Sequence, residues 1–366
     1  MPHRLRPLRF LAAFTMAISV GVAPLPSGAQ TPASTPSVSV VAHGLANPRG
    51  MAFAADGSLI VALADSGKED ASVVRIGADG CPAAITAPFP TGGAVFGTHT
   101  GFADVSVLGG ALYGLMAGGN LAQGGQAHNG LYRLDGTGGA AMVADIALFV
   151  RDHPVAEKPR DYDQNGQPVS LWPLPDGSGF VATEGNSNQL LRLGLDGSVT
   201  RIADLSARHP IATGVVAAPD GGWWVALFTH FPYTEGSAKV IHVAPDGTVA
   251  DAWTNLSVPI DLALGPDGAL YALEMATGYG EDDAKIVPGT GKVLRQAGPD
   301  AAETVVTGLP LPSAFGFGPD GALLISSPIV GADVGSGVVL KITLPAGPNA
   351  APVDAGAAQT APTACA

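Results

Sequence analysis

The sequence predicts an all-β chain folded as a six-bladed β-propeller, and three observations carry that expectation. An apolar stretch that runs into a tight turn and out into a second apolar stretch recurs six times. The copies are Asn47 to Leu63, Gly101 to Met116, Gln167 to Thr183, Ile211 to Leu227, Pro259 to Met275 and Pro312 to Pro328. Their spacing, roughly 40 to 50 residues, is that of a four-stranded blade. A second hairpin follows each of the first five copies, beginning at Ser72, Gly130, Gln189, Lys239 and Lys292. The composition agrees: 50 Gly and 31 Pro beside 46% hydrophobic residues suit a large β core with many turns, whereas disorder demands lower hydrophobicity.

At the N-terminus, His3, Arg4, Arg6 and Arg9 precede the apolar run FLAAFTMAISVGVA, and Ser27-Gly28-Ala29 precede Gln30. This order of charged, apolar and small residues is that of a secretory signal peptide over residues 1–29, so the expected location is secreted or periplasmic. Its removal takes away three arginines and no acid, which moves the formal charge from -13 to -16. So acidic a chain has no electrostatic means of holding nucleic acid or an anionic membrane. No later stretch is long and apolar enough to suggest a membrane span after signal cleavage.

Each repeat then reads as strand, turn, strand, with Asp-Gly in most of the turns, where Gly supplies the positive φ of a tight hairpin. The sixth unit supplies only a third strand, Val338 to Leu344, while Ser37 to Leu45 has the apolar alternation of an outer strand. Pairing these two segments closes the ring and removes an exposed edge. One propeller domain over residues 36–345 follows, and residues 346–366, rich in Ala and Pro, are expected to form a disordered tail. Export makes a disulfide between Cys81 and Cys365 permissible, but two separated cysteines define no framework, and free thiols are the alternative.

Because alternate connections fall on opposite ends of a propeller, the Asp-Gly turns share one face and the long connections the other. Function is assigned to the long-loop face. Aligning the copies gives one equivalent position at the start of each innermost strand: Gly50, Asp104, Ser170, Gly214, Asp261 and Ala314. Two readings of the acidic pair stand open. Asp104 and Asp261, from opposite blades, hold a cation, or each accepts backbone N–H bonds between blades. Glu184, Asn186 and Glu274, at the ends of second strands and in their loops, extend the oxygen-rich set. Asp104, Asp261 and Glu184 are the candidate calcium ligands, and solvated loop caps are the plainer reading of the added residues. Asp161 to Gly166 opens like a calcium loop, but Trp172 stands where the bidentate acid belongs. Eight scattered histidines give no zinc spacing. Phe228 to Tyr233 places His230 and Phe231 on a functional-side loop, where they are candidates to touch a ligand.

VVAHGLANPRGMAF, GFADVSVLGGALYGLMAGG, EGNSNQLLRLGLDGSV, the segment from Ala212 to Val243, IDLALGPDGALYALEMATG and GFGPDGALLISS together resemble the ScyD/ScyE family, exported propeller proteins named from the gene cluster for scytonemin. The resemblance implies a six-bladed propeller outside the cytoplasmic membrane and carries over no catalytic residue. GLANPRGMAF also looks like the opening of quinone-dependent sugar dehydrogenases, although Arg49 sits where those usually have Trp.

The leading functional expectation is an exported propeller that binds a small molecule, glycan or protein through its long-loop face. The competing class is a calcium-dependent hydrolase or lactonase of the gluconolactonase type. No serine-hydrolase elbow, phosphate-binding loop or dinucleotide fingerprint is present in a convincing context.

Overall fold

The computed structural model describes residues 35–90, 92–95, 98–120, 125–230, 233–277, 287–332, 335–345, 350–356 and 365. Six four-stranded antiparallel units form the propeller. Blade 1 comprises Pro48–Phe53, Leu59–Leu63, Ser72–Ile76 and Pro82–Ala84, and blade 2 Phe102–Leu108, Ala111–Met116, Gly130–Leu134 and Ala140–Asp145. Blade 3 comprises Pro168–Pro173, Gly179–Glu184, Gln189–Gly194 and Val199–Asp204, and blade 4 Ala212–Ala217, Trp223–Leu227, Ala238–Val243 and Val249–Leu256. Blade 5 is built from Pro259–Leu264, Leu270–Glu274, Gly291–Gly298 and Ala301–Leu309. Blade 6 takes Ala314–Phe317, Leu323–Ser327 and Gly337–Thr343 from the C-terminal part and Ser37–Leu45 from the N-terminal part. Their register runs from Ser37 opposite Thr343 to Leu45 opposite Gly337, so the closing strand covers the last blade's edge as the sequence predicts.

Apolar residues of the middle strands are buried on both faces because each blade is covered by its two neighbours. The core is accordingly a series of wedges between blades, for example Leu190, Val215, Val225 and Ile241 between blades 3 and 4. The long connections are less irregular than expected. The segment after blade 2 starts with a short helix, Ile146–Asp152, whose N-terminus is capped by Asp145 accepting from the Leu148 N–H. Gly92–Val95 and Thr98–Thr100 pair as a small hairpin.

The expectation of a disordered tail is corrected within the described part. Val353–Asp354 adds a parallel fifth strand to blade 5, with Val353 opposite Val306. Val353 and Ala355 bury against the wedge between blades 5 and 6, and that apolar contact supplies what an Ala/Pro-rich reading did not credit. Farther on, Cys365 is bonded to Cys81 in the outer turn of blade 1, with Cα atoms 5.7 Å apart. The tail is therefore anchored at both blade 5 and blade 1, the two neighbours of the blade that closes the ring. Among the described residues no helix is long and apolar enough to cross a membrane.

Candidate functional site

The two ring aspartates turn out to be joints between blades. Asp104 Oδ1 accepts from its own neighbour, Val105 N–H, at 2.8 Å, and Oδ2 accepts from Leu171 N–H of blade 3 at 2.8 Å. Asp261 repeats the arrangement, accepting from Leu262 N–H at 2.9 Å and from Phe315 N–H of blade 6 at 3.1 Å. Both lie deep in the ring and are only partly solvent-accessible. Burial pushes Asp261 up to about 7, and burial followed by the charge of Asp261 raises Asp104 well above the usual carboxylate range.

Gly50 and Gly214 precede these aspartates around the ring, and a Cβ on Gly50 would lie 1.9 Å from Asp104 Oδ1. A Cβ on Gly214 would lie 2.7 Å from the Asp261 backbone. Small residues at those positions thus give clearance to the joint rather than width to a channel. Hydroxyls tie other blades: Thr183 donates to Thr213 O, Thr213 to Pro259 O at 2.8 Å, Ser313 to Pro48 O at 2.6 Å and Ser326 to Arg49 O at 2.8 Å.

Glu184 and Glu274 are also bound into the scaffold. Glu184 is fully buried, its oxygens accepting from the N–H groups of Gln167, Asn186 and Ser187 and from the Ser187 hydroxyl. Glu274 accepts from Ser257 N–H at 2.6 Å with Lys292 Nζ 3.1 Å from its other oxygen, and burial raises its pKa despite that cation. Asn186 accepts from Asp163 N–H and donates to Asp161 O, pinning the loop that resembles a calcium loop. The candidate ligands Asp104, Asp261 and Glu184 do not converge on one point: among the described residues, the one group of three His, Cys, Asp or Glu side chains that lie together is His43, Cys81 and Cys365, and there the two sulfurs are bonded to each other and offer no thiolate. The physical reason is that each carboxylate is consumed locally by backbone N–H groups. His230 lies exposed at the mouth of the cavity described next, and Phe231 lies outside the described residues.

That cavity, of about 930 Å³, opens on the long-loop face. One residue from the start of every innermost strand faces it: Arg49, Ala103, Val169, Thr213, Ile260 and Ser313. Each immediately precedes the position picked out by aligning the repeats. The register explains the offset, because the innermost strands of blades 1 to 5 each carry an irregularity at this place, between Pro48 and Met51, Phe102 and Asp104, Pro168 and Leu171, Ala212 and Val215, and Pro259 and Asp261. A bulge interrupts the two-residue alternation and re-aims one side chain. In four blades the residue three before the ring position has positive φ: Asn47, Ile211, Val258 and Leu311. Their carbonyls accept from a backbone N–H just past the second strand, that of Ala64, Phe228, Met275 and Ile329 respectively, the last lying one residue farther on because Pro328 has no N–H to give. Left-handed backbone costs a side-chain-bearing residue on the order of 1 kcal/mol, and its recurrence at equivalent positions makes it a device of the scaffold.

Apolar walls come from Phe228 and Tyr233, edge to face with centroids 4.9 Å apart, with Ile260, Met275, Ile329 and Val330. Polar groups are Arg49, whose guanidinium donates to Ile329 O at 2.7 Å and His99 O at 2.8 Å, together with His209, Asn186, Asn188 and Thr213. Burial brings Arg49 down to about 9. Sequence reasoning missed this set; the signal available to it was the same repeat alignment, read one residue earlier. Two other clefts, of about 950 and 670 Å³, lie among the turns of blades 1 and 2 and of blades 5 and 6. They are gaps between diverging blades on the opposite face, without a contribution from all six blades.

No family model matches the chain, and no curated protein matches it by sequence. Solved structures do share its fold. The PQQ-bound form of aldose sugar dehydrogenase from Streptomyces coelicolor superposes with a TM-score of 0.58 at 13% identity, covering 85% of this chain and 98% of that one. A gluconolactonase from Xanthomonas campestris gives 0.56 at 16% identity over 85% and 90% of the two chains. Streptogramin B lyase gives 0.51 at 14% identity over 85% and 97%. These similarities establish the six-bladed propeller fold.

Proposed function

We propose that this chain is an exported six-bladed propeller that binds a small organic molecule in the axial cavity of its long-loop face, without metal-dependent hydrolysis. The observation that carries the reading is the cavity itself, of about 930 Å³ and lined by one residue from the start of each innermost strand. That volume falls within the usual range of small-molecule pockets, and mixed apolar walls with a few polar groups are their usual lining. The carboxylates that a calcium lactonase would need are engaged by backbone donors, which weighs against the gluconolactonase alternative. Export is supported by the N-terminal residue order and by a disulfide that suits an oxidising compartment. The resemblance to the ScyD/ScyE family points the same way.

The test is a thermal-shift screen of sugars, lactones and aromatic acids against the chain and its Ala103→Trp variant, which places an indole in the cavity mouth. Ligands at saturation raise the melting temperature by mass action, and the variant abolishes the rise while keeping its own melt. Ligand shifts that survive Ala103→Trp refute the assignment of the cavity.

A further inference from the structure

We propose that the Cys81–Cys365 bond, with His43 beside it, is a redox-active site that undergoes reversible thiol–disulfide exchange with a dithiol, in addition to tying down the tail. The site lies where the ring is closed. His43 belongs to the closing strand Ser37–Leu45, and its backbone N–H donates to Gly80 O in the outer turn of blade 1 at 3.0 Å. Cys365 packs over the next residue of that strand so closely that a Cβ on Gly44 would lie 3.0 Å from its Sγ. Both cysteines are partly exposed and so within reach of a reagent in solution, whereas His43 is buried.

The histidine's tautomer makes the two sulfurs unequal. Its Nε2 stands 3.2 Å from Asp79 O, and a carbonyl only accepts, so in the neutral ring the hydrogen is on Nε2 and the lone pair on Nδ1. Nδ1 stands 3.4 Å from Cys365 Sγ, which has no hydrogen to give while it is bonded to Cys81. After reduction it has one: the Cys365 thiol donates to Nδ1, and such a thiol–imidazole contact favours the thiolate. Cys81 gains no such partner, since its sulfur lies 3.9 Å from the nitrogen already committed to Asp79 O. The Asp79 carboxylate accepts from Cys81 N–H at 3.0 Å. Both bonds that hold His43, to Gly80 O and to Asp79 O, are independent of the disulfide, so the ring keeps its place when the sulfurs part.

Exchange then has a direction. The first sulfur of the dithiol, as thiolate, bonds to Cys81 Sγ while the Cys81–Cys365 bond breaks. Cys365 leaves with the electron pair and takes from water a proton that it shares with Nδ1. The second thiolate of the dithiol displaces Cys81, which is protonated in turn. The dithiol is oxidised by two electrons to its disulfide, the chain's disulfide is reduced to two thiols, and two protons cross through water.

Reduction by dithiothreitol under native conditions tests the site, with opening of the bond followed by mass spectrometry of the cross-linked peptide. His43→Gln keeps a donor for Asp79 O and offers no imidazole, and it is expected to slow opening at least about fivefold, because a poorer leaving sulfur departs more slowly. A histidine that only packs predicts the opposite, since its loss uncovers the sulfurs and opening is unchanged or faster. In the reduced, folded parent at pH 6, iodoacetamide is expected to label Cys365 at least about tenfold faster than Cys81, and His43→Gln is expected to bring the two rates within about twofold. Should the variant fail to fold, the ratio of the two cysteines in the parent decides. Cysteines that label alike in the parent, or a folded variant whose bond opens as fast as the parent's, overturn the inference.

Discussion

Replacing Asp261 by Asn separates a joint between blades from a ligand-binding carboxylate, and the separation shows in pH dependence. In the folded chain both oxygens of Asp261 face N–H donors, Leu262 at 2.9 Å and Phe315 at 3.1 Å, and these favour the ionised form. Burial works against them and prevails, holding the carboxyl at about 7. A carboxyl so raised keeps its proton in the folded state where the unfolded chain has released it, so stability falls as pH rises from about 4 through about 7. The difference of about three pH units from an ordinary aspartate corresponds to about 4 kcal/mol, which water in the channel screens to about 2–3 kcal/mol. At pH 4 the protonated carboxyl still turns an oxygen to each N–H donor, whereas the carboxamide turns its –NH2 to one of them, so the Asn variant should be the less stable there by about 1–3 kcal/mol. From pH 4 to pH 8 the difference between the two proteins should move in the variant's favour by about 2–3 kcal/mol, because only the parent must ionise. Removing that charge also lowers Asp104, because Asp261 contributes to its elevation, and this adds in the same direction. Urea unfolding at pH 4, 5.5 and 8 measures the effect. A difference between variant and parent that stays constant within about 0.5 kcal/mol across the three values refutes the claim that the buried charge is penalised.

Calcium should leave the melting temperature unchanged to within about 1 °C relative to chelator, because the carboxylates in question already accept backbone N–H bonds. A specific ion at 100 times its dissociation constant is worth about 2.7 kcal/mol, and a shift of that size by calorimetry would show that these groups can release the scaffold for a metal. Cys365→Ser should lower the denaturation midpoint, since the bond to Cys81 closes a separation of 284 residues. Chain entropy sets the loss at up to about 5 kcal/mol, and a loss below about 1 kcal/mol under oxidising conditions would mean that the tail adds nothing to ring closure.

The repeat and its punctuation are legible in the amino-acid order alone. Two hairpins per unit, Asp-Gly at the turns and the orphan strand from Ser37 to Leu45 are local or pairwise signals, and together they specify six blades and the way the ring closes. It also identified Asp104 and Asp261 as equivalent and distinctive, and it held open the reading in which they accept N–H bonds between blades. The choice between that reading and a cation site came from the tertiary structure, because it depends on which N–H of the next blade lies within hydrogen-bond reach of each carboxylate. The same holds for the cavity. A bulge at the start of an innermost strand shifts the inward-facing side chain by one residue, from Gly50 to Arg49 or from Gly214 to Thr213, and leaves little mark on apolar alternation. The tail is the third case: Val353 is a single apolar residue in an Ala/Pro-rich stretch. Its burial follows from an open parallel edge on blade 5, which exists only once the blade has formed.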